Sequence, residues 1–251
     1  MRSPMKKLCS LLLALSLPAA PALGDASCCA PAAQASSYSG NANSVFSASN
    51  PPSALAMEGF FTAAFSSEYG DEGRNMLIRW ASPLKLYIQG NPTGEDTDAL
   101  HSFLKAIEEK VPGLPGISFT SIKEEATVVI SFVPFAQMAE NLSTYEPDNW
   151  GFMNCFDAGG DIRYGLIAIA SDVTGQLDRN HLLQEEFVNM LGLTDDIDFA
   201  EDSIIYQPYT RTQSLAAVDY EMLNLLYSPF LTAGMTQDQA KEKLAEIFPN
   251  P

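Results

Sequence analysis

Apolar residues recur along this chain with two distinct periods, and the alternation between them outlines the fold. Leu100, Phe103, Leu104, Ile107 and Val111 fall at helical spacing, which predicts an amphipathic helix over residues 96–111 that Pro112 stops. Upstream, residues 57–70 (MEGFFTAAFSSEYG) read as another helix, followed by a short strand from Leu84 to Ile88 that Gly90, Asn91 and Pro92 end. The β-branched run at 127–133 (TVVISFV) and the run at 164–170 (YGLIAIA) are predicted strands, with a loop between them over residues 134–163. A central helix is expected over 179–191, where Leu183, Phe187, Met190 and Leu191 share a face and Gly192 suits the left-handed position that closes a helix. Val218, Met222, Leu225 and Leu226 mark a helix over 216–227, and a capping box of Thr236 and Gln239 opens a last one that runs to about Phe248. Strands followed by a run of helices give an α+β class, a small mixed sheet packed on helices.

The ends of the chain and its charge add localisation and exclude some partners. Arg2, Lys6 and Lys7 precede the apolar run LCSLLLALSL, the layout of an export signal over residues 1–24, and the run is too short to span a membrane. The mature chain is therefore expected in the periplasm, at the cell surface or secreted, with lipid attachment at Cys28 or Cys29 as a rival reading. Residues 25–55 are mostly Ala, Ser, Asn and Pro and read as a flexible tether, which leaves 56–251 as one domain. Without the signal, 11 basic residues face 31 acidic ones, a field that repels phosphate and excludes nucleic acid as a partner. Cys28, Cys29 and Cys155 allow one disulfide at most.

Candidate chemistry concentrates in HLLQEEFVNMLGLTDDIDFAEDSIIY, residues 181–206. Glu185, Glu186, Asn189, Gly192 and Asp195 stand in the frame HExxHxxGxxH, in which three imidazoles hold zinc and the glutamate is the base. Ser203, Ile204, Ile205 and Tyr206 resemble the SIMY turn beneath such a metal, and LAAVDYEMLNLLY resembles the helix that closes the fold. On these residues the stretch from about 84 to 227 resembles a metzincin, a zincin-like metalloprotease fold. All three histidine positions are changed, and Ile205 and Ala216 replace the turn methionine and the capping serine. The chain also resembles exported bacterial proteins grouped only as a domain of unknown function, through Arg79, Trp80 and Pro83 and through Leu226, Tyr227, Pro229, Leu231, Gly234, Met235 and Thr236.

The resemblance implies a cleft whose chemistry has changed. Glu185, Asn189 and Asp195 stand at the positions of the lost ligands, an oxygen set that suits calcium, magnesium or manganese better than zinc. Glu186 keeps the place of the general base, but without a metal its water has no lowered pKa to exploit. Ordinary readings stand beside these: Glu185 as a solvated acid on the helix face, Glu186 as a solvated or hydrogen-bonded acid in a relic cleft, Asn189 bonded to a nearby loop, and His181 exposed in the first helical turn, with a His181–Glu185 half-site as the alternative. Asp195, Asp196, Asp198, Glu201 and Asp202 read as a solvated acidic loop, and Asp219 as a helix cap. Three functions remain open. One is a pseudo-protease that binds a peptide or protein along an edge strand at 164–170 without cofactor or hydrolysis; the others are a metal-dependent hydrolase using the oxygen set and an envelope structural or adaptor module.

Overall fold

The structure, a computed structural model, describes residues 45–65 and 76–249. The export signal, Cys28 and Cys29 lie outside the described residues, as does the end of the helix expected over 57–70. Within them the elements are α1 (Ala54–Phe65), β1 (Arg79–Trp80), β2 (Leu84–Gly90), α2 (Gly94–Lys110), β3 (Ile117–Phe119), β4 (Val128–Val133), β5 (Gly151–Ala158), β6 (Asp161–Ala170), α3 (Gln176–Met190), α4 (Ala217–Leu226) and α5 (Gln237–Ile247). The strands form one mixed sheet packed by helices.

β3, β2, β4 and β6 lie side by side and parallel, β1 pairs with the first residues of β6, and β5 runs antiparallel beside β6. β4 is buried at all six positions, as its β-branched run foretells for a strand with neighbours on both sides and covered faces. α2 begins where the sequence offers reciprocal caps: the Asp96 N–H donates to the Thr93 hydroxyl at 3.1 Å and the Thr93 N–H to Asp96 Oδ2 at 2.7 Å. Its apolar stripe of Leu100, Phe103, Leu104 and Ile107 packs toward α3, where Phe103 meets Phe187 edge to face with ring centres 5.7 Å apart.

Three expectations need correction. The stretch 134–163 is not mostly loop: it holds β5, whose first five residues are buried, and a 3-10 turn at Phe135–Asn141. Gly159 and Gly160, with φ of 63° and 90°, make the two-residue turn that folds β5 back on β6. Second, 164–170 is no edge strand, because β6 lies between β4 and β5. Third, the ordered fold begins before residue 56. Phe46, 6% exposed, packs against Phe248 with ring centres 6.4 Å apart, and the Ser53 N–H donates to Glu221 Oε2 at 2.7 Å. Phe46 and Ser53 thus hold residues 45–55 to the body of the domain.

The far side of the sheet carries a smaller core of its own. Met138 and Leu142 cover Val133, Phe152, Ala168 and Ala170. Asn154 fastens this cover, since its Oδ1 accepts from the Ser143 N–H at 2.8 Å and from the Ser143 hydroxyl at 3.0 Å.

Candidate functional site

α3 is the element on which every candidate residue depends, and it is more deeply enclosed than its single apolar face implies. Every residue from His181 to Met190 is buried, because α2, β5, β6 and the loop after α3 surround the helix. Its C-terminal end is held by residues from distant parts of the chain. The Trp80 indole N–H donates to the Met190 carbonyl at 3.0 Å, and the Tyr227 hydroxyl donates to the Leu191 carbonyl at 2.8 Å. Arg79 lies 5.1 Å from the Tyr227 ring centre and donates from Nη1 to the carbonyls of Leu226, Ser228 and Leu231 at 2.7–3.1 Å. Arg79, Trp80, Leu226 and Tyr227, which stand out in sequence as two separate motifs, thus form one tie that satisfies the last carbonyls of α3 and α4. Gly192 follows with φ 118°, and a Cβ there would lie 2.3 Å from the Ile78 carbonyl oxygen.

Beyond Gly192 the chain makes a short bridge between Ile197 and Tyr206, which closes the turn Ser203–Ile204–Ile205–Tyr206. The turn is organised by Asp219, fully buried at the start of α4. Its carboxylate accepts from the Ser203 hydroxyl at 2.5 Å, the Ile204 N–H at 3.0 Å and the Ala216 N–H at 2.8 Å. Burial pushes the Asp219 carboxyl up, against the three hydrogen bonds that pull it down. Ala216 has no side-chain oxygen to cap α4, so Asp219 at the third helical position does the capping alone.

Glu185 is not a solvated acid. It is 0% exposed, and its Oε2 lies 3.4 Å from Nε2 of His181, one helical turn earlier. His181, expected at the surface, is buried as well; its Nδ1 stands 2.9 Å from the Thr212 carbonyl, which can only accept, so Nδ1 donates and Nε2 is left facing Glu185. Glu186 rests against the start of β5, where a Cβ on Gly151 would lie 3.1 Å from its Oε1. Asn189 is buried one turn beyond Glu185, and its Oδ1 has no hydrogen-bond partner among the described residues, contrary to the expected loop contact. Asp195 lies past the Gly192 turn. Its N–H donates to the Ala63 carbonyl of α1 at 3.1 Å, its Oδ1 accepts from the Asp196 N–H at 2.9 Å, and burial raises its carboxyl. Among the described residues no three or more His, Cys, Asp or Glu are grouped to hold a metal ion. Glu185, Asn189 and Asp195 do not fit zinc: the set offers no thiolate or imidazole donor, and its first member faces a histidine of the same helix.

Sequence reasoning missed the polar groups at the other end of α3. Asp178, in the first turn, accepts from the Gly175 N–H at 3.2 Å, from Arg211 Nε at 2.7 Å and from the Tyr209 hydroxyl. Burial works to raise its carboxyl, but those donors outweigh it and its pKa lies below the usual aspartate value. Asp96 is lowered in the same way, with burial opposed by hydrogen bonds from Thr93, from Arg179 Nε at 3.0 Å and from Gln176 Nε2 at 2.6 Å, which join the starts of α2 and α3. Residues 209–213 lie along α3 as a strap, with Gln184 Nε2 donating to the Gln213 carbonyl at 3.1 Å and Gln213 Nε2 to the Leu177 carbonyl at 2.9 Å. The available signal was that Asp178, Arg179, Asn180 and His181 stand consecutively and so point to all sides of the helix, more polar positions than one solvent-facing side can hold.

No helix among the described residues is long and apolar enough to cross a membrane. A family described as "Protein of unknown function (DUF2927)" matches residues 53–246, and the chain belongs to it. No curated protein matches. Among solved structures, one described as the structure of Myroilysin matches with a TM-score of 0.40 and 11% identity, over 61% of this chain and 83% of that one.

Proposed function

We propose that this member of the DUF2927 family is an exported, non-hydrolytic domain of zincin-like build that binds an extended peptide or protein segment. One observation carries the reading: Glu185, at the first lost ligand position, is wholly buried and turned toward His181, beneath a strap of the same chain. A catalytic metal needs an open coordination position for water, and the donor facing that position here is engaged within its own helix. Glu186, at the place of the base, is buried against Gly151 of β5. What remains is a buried helix covered by an extended segment, whose carbonyls its side chains hold as they would hold the main chain of a peptide.

A second reading, a hydrolase with calcium, magnesium or manganese on Glu185, Asn189 and Asp195, draws support from the buried Asn189 Oδ1, since a cation would give that oxygen a partner. Elemental analysis of the purified mature chain, with a fluorogenic peptide library assayed for cleavage and a peptide array assayed for binding, separates the two. The proposal expects peptide binding, no stoichiometric metal and no cleavage that Glu186→Gln abolishes. A metal at one per chain, lost together with Glu186-dependent cleavage, would overturn it.

A further inference from the structure

The strap is attached to the body of the protein in an unusual way. Residues 210–213 make no backbone–backbone hydrogen bond among the described residues; side chains of α3 grip their carbonyls instead. Nδ1 of His181 holds the Thr212 carbonyl, Nε2 of Gln184 holds the Gln213 carbonyl, and Asn180 Nδ2 reaches Gln213 Oε1 at 3.3 Å. One charged anchor accompanies them. Arg211 closes on Asp178 through Nε at 2.7 Å and Nη2 at 3.3 Å, with the Tyr209 hydroxyl on the same carboxylate. The arginine side chain is nevertheless 63% exposed while Asp178 is buried, so the anchor belongs to α3 and the arginine is the part that can leave.

We infer that the face of α3 from Asp178 to Gln184 is a recognition site for an extended peptide carrying an arginine, and that Tyr209–Gln213 fills it in cis. Carbonyls gripped by helix side chains read a main chain and tolerate many sequences, whereas the Asp178 carboxylate reads one residue type, because guanidinium matches it through two N–H groups. The excess of acidic residues over the whole chain draws a basic segment toward the site. Exposed Gln207 and Pro208 precede the strap and exposed Ser214 follows it, so both ends of the segment lie at the surface, and its withdrawal uncovers the His181 ring on which Tyr209 packs. This inference rests on the peptide-binding reading and adds the place and the preferred side chain.

The test uses the full mature chain and a fluorescein-labelled peptide with the sequence of residues 207–214, read by anisotropy at low ionic strength. Arg211→Ala empties the anchor in cis and is expected to bind the peptide about tenfold more tightly than wild type, the size of one charge-assisted pair. The same peptide with alanine in place of its arginine loses that gain, and so does the Arg211→Ala chain when Asp178→Asn is added. Tyr209→Phe, which loosens the strap while leaving the Asp178 contact to Gly175 intact, shifts affinity in the same direction. Equal binding by wild type and both strap variants would overturn the inference, as would a gain that survives Asp178→Asn or the arginine-free peptide. The two readings fail separately. Ligands found on the array with no gain in Arg211→Ala remove the strap site alone, whereas a gain for the strap peptide with an empty array keeps the site and removes the general binder.

Discussion

Replacing Asp219 tests whether one buried carboxylate organises the turn Ser203–Tyr206. Alanine at this position removes the only acceptor among the described residues for the Ser203 hydroxyl, the Ile204 N–H and the Ala216 N–H at 2.5, 3.0 and 2.8 Å. A buried donor left without a partner costs about 1–3 kcal/mol. The hydroxyl can rotate, but the two N–H groups cannot, so the expected loss is about 4 kcal/mol. That is a large part of the stability of a single domain, roughly 5–15 kcal/mol. Asparagine behaves differently: its oxygen can take both N–H groups while its amide donates to Ser203, and it also lifts the burial of a charge that pushes the Asp219 carboxyl up. Its expected cost is about 1 kcal/mol. Urea unfolding followed by circular dichroism at neutral pH reads both variants. With a slope of roughly 2–3 kcal/mol per molar for a domain of this size, Asp219→Ala should lower the midpoint by about 1.5 M and Asp219→Asn by less than about 0.5 M. An unchanged slope with a midpoint shift under about 0.4 M for the alanine variant would show that the turn stands without its carboxylate, and the reasoning would be wrong.

Other substitutions address the ends of α3 and the response to pH. Tyr227→Phe deletes the donor to the Leu191 carbonyl and the acceptor, at 3.4 Å, of the Trp80 N–H, and should cost about 2 kcal/mol in the same urea measurement. Gly192→Ala forces a side chain into φ 118° and onto the Ile78 carbonyl oxygen; a loss of more than about 2 kcal/mol in thermal or urea unfolding is expected, and a neutral result would mean the turn can move. Asp96 and Asp178 have folded pKa values below their unfolded ones, so the stability they add is present above the unfolded value near 3.8 and is lost as pH falls through the folded values. Unfolding midpoints from pH 7 to pH 2.5 should therefore drop less steeply for Asp178→Asn than for wild type. Asp195 is raised by burial, which reverses the sign: its contribution is full below 3.8 and is lost as pH rises through its folded value, so Asp195→Asn should gain relative to wild type at pH 7 compared with pH 3.

Elements whose apolar residues repeat over a long stretch were legible, and those that depend on distant partners were not. α2 and β4 follow from periodicity because the stripe of α2 and the unbroken run of β4 each bury against neighbours their own pattern implies. β5 escaped because its alternating Phe152, Asn154 and Phe156 include an asparagine whose burial makes sense only once Ser143 and Thr144 supply donors. Gly159–Gly160 was the clue that could have revealed the hairpin. In the site, the Gly192 turn was readable from a single residue, since few side chains tolerate its conformation. The burial of Glu185 was not. Solvated carboxylates and enclosed ones look alike in sequence, and what encloses this one is His181 on its own helix and Thr212 some thirty residues later. Arg79, Trp80 and Tyr227 were visible as motifs, but nothing in their spacing reveals that they meet at the ends of α3 and α4.

Phe46 against Phe248 brings the first and last described parts of the chain to one pole of the molecule. A few residues of linker would join 249 to 45, and new termini could then be cut in the exposed Ala158–Gly159 corner between β5 and β6. A circular permutant made in this way should fold. Any cargo or surface attached at residue 45 or at residue 249 would share that pole.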